Sequence, residues 1–179
     1  MEKETIEEKK VKSLIELRGY KLLEKERQEG MTRYIVEVEK GKKAAIFAVH
    51  KKIVGVASIK KLYKFMEEKG VEKGIIVAEK KYSAAIKKEA KSQNIELIPG
   101  RLPPSNIFLH ELVPEHTILS PDEVEELLQE YKIGLNQLPQ IKVTDVAVIA
   151  IGGRVGDVIR IARESPTAGE HIVYRFVVP

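Results

Sequence analysis

The chain has 179 residues, 43% of them apolar, no cysteine and a formal net charge of +4, which is enough for one large domain or two small ones. The absence of cysteine excludes disulfides, thiolate nucleophiles and cysteine-ligated zinc or iron–sulfur centres, and no run approaches the ~20 consecutive apolar residues of a membrane span. The charge is split: residues 1–109 carry 25 Lys/Arg and 16 Asp/Glu, whereas residues 110–179 carry 6 and 11, so the first part suits a polyanionic partner, although a mixed Lys/Glu surface also suits heat resistance.

The opening "MEKETIEEKKVKSLIEL" is charged and helical in pattern, without the apolar core of a signal peptide, and so points to an intracellular protein. Ile6, Val11, Leu14, Ile15 and Leu17 fall near helical spacing before Gly19. "TRYIVEVEKGKKAAIFAVH" reads as two strands joined at Glu39-Lys40-Gly41-Lys42. Ser58 is the expected cap of a helix with Ile59, Leu62, Tyr63 and Met66 on one face, ending at Gly70. "GIIVA" (74–78) predicts a buried strand, "SAAIKKEAKSQN" (83–94) a helix and "IELI" (95–98) a last strand. The order helix, hairpin, helix, strand, helix, strand defines an α/β sheet with a parallel crossover. "PGRLPPSN" (99–106) has the prolines of a linker, which divides the chain into domains 1–105 and 106–179.

The second part opens on "HELVPEHTILSPDEVEELL", a stretch rich in metal-ligand residue types. His110 and His116 are six apart, not the four of a helical HExxH zinc site, and Pro114 breaks a continuous helix. Ser120-Pro121-Asp122-Glu123 is instead a capping box with proline in the first turn. Its helix would turn Val124, Leu127, Leu128 and Tyr131 toward a core. After the turn "NQLPQI" come a short apolar element and the glycine turn "GGRVG". "DVIRIAR" (157–163) and "HIVYRFVVP" (171–179) read as strands around the loop "ESPTAGE". The expected class is a small α+β unit ending in an antiparallel hairpin.

Other chemistry-bearing spacings fail. "GGRVG" contains GxxG, but a strand follows it where a nucleic-acid-binding KH domain has a helix. There is no dinucleotide fingerprint and no GxSxG elbow. The first part has the element order of restriction-endonuclease-like nucleases, which hold Mg²⁺ with an acid on one strand and a Glu-x-Lys or Gln-x-Lys pair on the next. Glu37 or Glu39 could be the acid and Lys51 the lysine, yet Val49 stands where the second carboxylate belongs. The frame is nuclease-like and the site is incomplete.

From "LVPEH" through "QLPQIKVTD", "GDVI" and "SPTAGE…YR", about 70 residues resemble a small assembly subunit of archaeal RNA polymerase and the C-terminal domain of its eukaryotic counterpart, the jaw subunit shared by the nuclear polymerases. "VGVASIKKLYKFMEEKGVEKGIIVAEKKYSAAIKKEA" is similar, more loosely, to the jaw domain of that eukaryotic protein, itself nuclease-like in fold. The resemblance implies a non-catalytic subunit of DNA-directed RNA polymerase, active in transcription and archaeal-like. It would be cytoplasmic, or nuclear in a eukaryote, and would use no cofactor, metal, membrane or small-molecule substrate. The implied partners are the largest polymerase subunit, other subunits and downstream duplex DNA.

The jaw's DNA-proximal turn, Thr-Pro-Ser-Ala in the family, corresponds to Tyr82, Ser83, Ala84 and Ala85. Here Ser83 would cap a helix whose free N–H groups face a phosphate, with Lys80, Lys81, Lys87 and Lys88 around it. The implied anchoring face comprises the terminal hairpin and the helix after Ser120, with His110, Pro114, His116, Arg160, Thr167, Tyr174 and Arg175. The rival readings are a stand-alone metal-dependent nuclease or a DNA-binding protein built on the first part.

Overall fold

The structure, a computed structural model, describes residues 4–39, 41–50, 54–79, 82–165 and 169–179. The chain divides into two compact units, Met1–Ser105 and Asn106–Pro179.

The first unit runs α1 (Ile6–Leu17), β1 (Lys21–Gln28), β2 (Met31–Glu39), β3 (Lys42–Val49), α2 (Val56–Lys69), β4 (Lys73–Ala78), α3 (Ala84–Ser92) and β5 (Ile95–Ile98). The sheet order is β1-β2-β3-β4-β5. β1, β2 and β3 form an antiparallel meander, while β4 and β5 join in parallel through α2 and α3, since parallel neighbours need a crossover. α2 and α3 bury Ile59, Leu62, Phe65, Met66, Ile86 and Ala90 against Ala45, Phe47, Val49 and Ile76 on one sheet face. Each such side chain contributes about 1.5–3 kcal/mol on burial. α1 lies on β3 and β4.

Four local features differ from the sequence reading. β1 carries no apolar alternation, and all eight of its residues are exposed. It is an edge strand fixed by backbone pairing to β2, and its charged side chains guard the open edge. α2 starts at Val56 with Gly55 as N-cap, which places Ser58 inside the first turn, where its N–H bonds back to Gly55 O. Tyr63 is turned outward at 39% exposure. The proline-rich segment after β5 is not a free tether: Leu102 is buried, and a Cβ on Gly100 would lie 1.8 Å from Glu79 O.

α1 is the least ordinary helix. Thr5 caps it through a capping box with Glu8, and its buried face includes Glu7, Glu8 and Lys10 beside Val11 and Leu14, while Ile6 is exposed. At its C-terminus Arg18 makes a two-point pair with Glu96 of β5, at 2.9 and 2.6 Å, with the arginine side chain only 2% exposed.

The second unit contains β6 (Glu115–Ile118), α4 (Pro121–Tyr131), β7 (Gln140–Lys142), α5 (Val146–Ile151), β8 (Val158–Ser165) and β9 (Gly169–Val178). Its sheet order is β6-β8-β9-β7, with β8 antiparallel to both β6 and β9 and β7 parallel to β9. α5 covers one face, with Val148 on Ile159, Ile161 and Val177. α4 covers part of the other, with Leu127 on Leu138 and Val158. Ser120 and Glu123 form the capping box with Pro121 in the first turn. Tyr131, expected in the core, is 57% exposed and sits edge-on to Tyr174 at 6.3 Å. Among the described residues no helix is long and apolar enough to cross a membrane.

Candidate functional site: a nuclease-like cleft, a lysine-bearing helix pair and a two-faced hairpin

The β2–β3 register decides the nuclease question. Glu37 pairs with Lys43, whereas Val49 pairs with Met31. At ~3.4 Å per residue, Glu37 lies on the order of 20 Å from the end of β3, and Glu39 lies farther still. Glu37 therefore cannot share an ion with the end of β3. Lys51 lies outside the described residues. On the α1 side of the sheet the residue of β2 nearest that end is Thr32, paired with Ala48, and α1 closes over it.

What occupies that position is a hydrogen-bond network. The Thr32 hydroxyl donates to Glu8 Oε1 at 2.8 Å, so its oxygen is left to accept from His50 Nε2 at 3.0 Å. The proton count therefore puts a hydrogen on Nε2. His50 Nδ1 lies 3.0 Å from Thr5 Oγ1 and 3.2 Å from Glu7 Oε2. A neutral ring accepts there from the Thr5 hydroxyl; a protonated ring donates to Glu7. Burial pushes the Glu8 carboxyl up, but the Thr5 N–H, the Thr32 hydroxyl and the Lys25 and Arg27 charges outweigh it and hold the group below its ordinary range.

Glu8 thus spends its lone pairs on donors of the fold. Lys10, the nearby lysine, donates to Gly100 O at 2.6 Å, and burial pushes its ammonium down against the opposing pull of Glu79 and Glu7. Among the described residues no group of three His, Cys, Asp or Glu is arranged to hold a metal ion. The network locks α1 to the sheet. Thr5-x-x-Glu8 was the only local signal for it, because Thr32 lies in β2 and His50 just after β3.

On the opposite sheet face Ser83 caps α3, its hydroxyl accepting from Ile86 N. Lys87 and Lys88 stand exposed on the first turns; Lys80 and Lys81 lie outside the described residues. The Tyr82 hydroxyl reaches Ile76 O at 3.0 Å and Ile98 O at 2.8 Å, clamping the ends of β4 and β5 just before the cap. Burial pushes that phenol well above its ordinary range.

In the second unit the expected anchoring residues divide between faces. Directly paired residues share a face. Arg160 pairs with Thr117 and Tyr174, on the α4 side with Val158. His116 pairs with Ile161, and Arg175 with Ile159, on the α5 side. His116 Nδ1 donates to Pro114 O at 2.7 Å and its ring lies 5.6 Å from that of Phe108. His110 Nδ1 accepts from Leu112 N. Arg175 donates to Gln140 O, and Thr167 lies outside the described residues. Unforeseen from the sequence are Leu109 and Leu112, 81% and 83% exposed beside these histidines.

A nuclease-like α/β sheet followed by a small α+β unit defines a two-unit protein. The family model for restriction endonucleases matches residues 3–102, and that for the C-terminal domain of RNA polymerase Rpb5 matches residues 105–177. The DNA-directed RNA polymerase subunit Rpo5 of Thermococcus onnurineus is 60% identical over 73 residues, and that of Thermococcus kodakarensis 62%. Each alignment takes in 41% of this chain and 89% of the relative. The Staphylothermus marinus subunit is 56% identical over 73 residues, 80% of its length. The chain belongs to the Rpo5 family of DNA-directed RNA polymerase subunits, with a unit of the restriction endonuclease family ahead of the shared one.

Proposed function

We propose that this chain is a non-catalytic polymerase subunit whose second unit anchors it to the largest subunit and whose first unit lies along downstream duplex DNA. The observation that carries the reading is the extent of the match: 73 residues of this chain align with 89% of the length of the Thermococcus subunits, and the family model for the C-terminal domain of RNA polymerase Rpb5 covers residues 105–177.

The anchoring face we favour is the α4 side of the second sheet. Arg160, Tyr174 and Thr117 stand side by side there, Ile172 and Tyr131 are exposed beside them, and aromatic and arginine side chains are the usual anchors of protein interfaces. The DNA contact is assigned to the start of α3, where Ser83, Lys87 and Lys88, with Lys80 and Lys81 before them in sequence, suit phosphate oxygens. An archaeal-like subunit of this kind would work in the cytoplasm.

Co-purification of the tagged full chain from native extract tests the anchoring. Recovery of the largest polymerase subunit, reduced by Arg160→Ala with Tyr174→Ala, supports it; recovery without any polymerase subunit refutes it. The nuclease reading predicts Mg²⁺- or Mn²⁺-dependent cleavage of duplex DNA that Lys51→Ala abolishes. With Glu37 at the wrong end of the hairpin, the expected result is no cleavage.

A further inference from the structure

From the pairing of the cations in the first unit we infer that the outer surface shared by α2 and α3, not the start of α3 alone, is a phosphate-backbone grip for duplex DNA. This rests on the reading of the first unit as a DNA-contacting unit and assigns it a surface that includes α2.

The cations of this unit fall into two populations. On the α1 side most are engaged, Lys12 with Glu4, Arg18 and Lys73 with Glu96, Lys25 and Arg27 with Glu8, while the exposed Lys9 has no ion pair among the described residues. On the other side of the sheet α2 and α3 touch and share one core. Their outer faces carry Lys60, Lys61 and Lys64, and Lys87, Lys88 and Lys91, all exposed. Both triplets have the spacing i, i+1, i+4, which gathers three ammonium groups on about one turn of each helix.

The acids on these helices are already engaged. Glu67 lies near enough to push the Tyr63 phenol up, Glu89 accepts from Gln93 at 3.0 Å, and Glu68 pairs with Lys64 at 3.9 Å. Lys60, Lys61, Lys87, Lys88 and Lys91 therefore have no ion pair among the described residues. Cations left without anions on one face of a unit invite an external polyanion. Both triplets are lysine throughout, and lysine offers a flexible point charge rather than the fork that reads base edges. The chemistry is that of backbone phosphates, independent of sequence and held through counterion release.

The test uses the full chain and a labelled DNA duplex, with affinity measured by fluorescence anisotropy over a range of salt concentrations. Lys60→Gln with Lys61→Gln, and separately Lys87→Gln with Lys88→Gln, should each weaken binding by about tenfold or more. Each pair should also lower the slope of log affinity against log salt by about 2. The control is Lys9→Gln with Lys12→Gln on the exposed side of α1, which makes the same charge change on the opposite face and should do much less. An equal loss in the control would overturn the assignment, as would an unchanged slope in the α2 variant.

Polymerase co-purification of the same variants separates the two readings. Variants that stay with the polymerase but lose DNA affinity support the grip. Variants that leave the polymerase show that the face meets protein, which overturns it. A wild-type chain that co-purifies with the polymerase yet binds no duplex at low salt sinks the grip alone and leaves the polymerase reading intact.

Discussion

Thr32 gives its hydroxyl hydrogen to Glu8 at 2.8 Å with both side chains out of solvent, so a strand residue satisfies a carboxylate that also caps the helix above it. Thr32→Val keeps the shape and removes the donor. The expected loss is about 1–3 kcal/mol of unfolding free energy, because the carboxylate stays buried with one partner fewer. Urea denaturation at neutral pH measures it; an unchanged midpoint would show that the bond contributes nothing.

The same carboxylate sets an acid limit. Glu8 and Glu96 are both held below the ordinary glutamate range. In each case burial pushes up and is outweighed, by hydrogen bonds to Thr5 and Thr32 for Glu8 and by Arg18 for Glu96. A carboxyl depressed in the folded state contributes stability that is fully present above its unfolded value and is lost as pH falls through the folded one. Stability should therefore hold from neutral pH down to the ordinary glutamate range and decline below it. Denaturation midpoints across pH 7 to 3 would show this, with Glu8→Gln giving a shallower decline.

Arg18→Met leaves Glu96 without its two-point partner. Breaking a fully buried pair from one side costs about 3–5 kcal/mol, and because the Glu96 side chain is 31% exposed solvent screens part of the charge left behind and the loss should fall below that. Lys73, 3.5 Å from the same carboxylate, should bring the loss lower still. Pairing Arg18→Met with Glu96→Leu should recover a large part of it, and a double variant no better than the single would sink the argument.

Gly100→Ala puts a methyl where Glu79 O already stands, 1.8 Å away. Backbone must shift, and the Lys10 contact to Gly100 O shifts with it. A loss of about 1–3 kcal/mol is expected, read as a lower thermal midpoint, with Gly41→Ala as a comparison at a position that has open space but a left-handed φ of +83°.

How much of this is legible in the sequence depends on how local each cause is. "GIIVA" and "IELI" read correctly as β4 and β5 because apolar runs bounded by turn residues need no outside information. Ser83 and Ser120 read correctly as caps because a cap and the backbone N–H that donates to it lie three residues apart. β1 is missed because "KLLEKERQ" has no buried face and is a strand only by virtue of β2. Ser58 is misread because a serine looks like a cap wherever apolar spacing follows it, while Gly55 caps with backbone alone.

The cleft is the least legible part. Glu7, Glu8 and Lys10 look like the solvated face of an amphipathic helix, and only Thr32, His50 and Gly100, brought from 24 to 90 residues away, make them interior. The placement of Glu37 likewise needed a register, because a hairpin's two ends look alike in the sequence and lie on the order of 20 Å apart in space.

The reach of those bonds has a consequence for synthesis. Arg18 meets Glu96 across 78 residues and Lys10 meets Gly100 across 90, so the first helix of this unit is completed only by its last strand and the residues just after it. A nascent chain stopped short of residue 96 holds a helix with an arginine and a lysine that belong inside a protein and have nothing there to receive them. The first unit should therefore form in one late step rather than grow element by element. Chains truncated before β5 should be caught by proteases, and those extended past Ser105 should resist them.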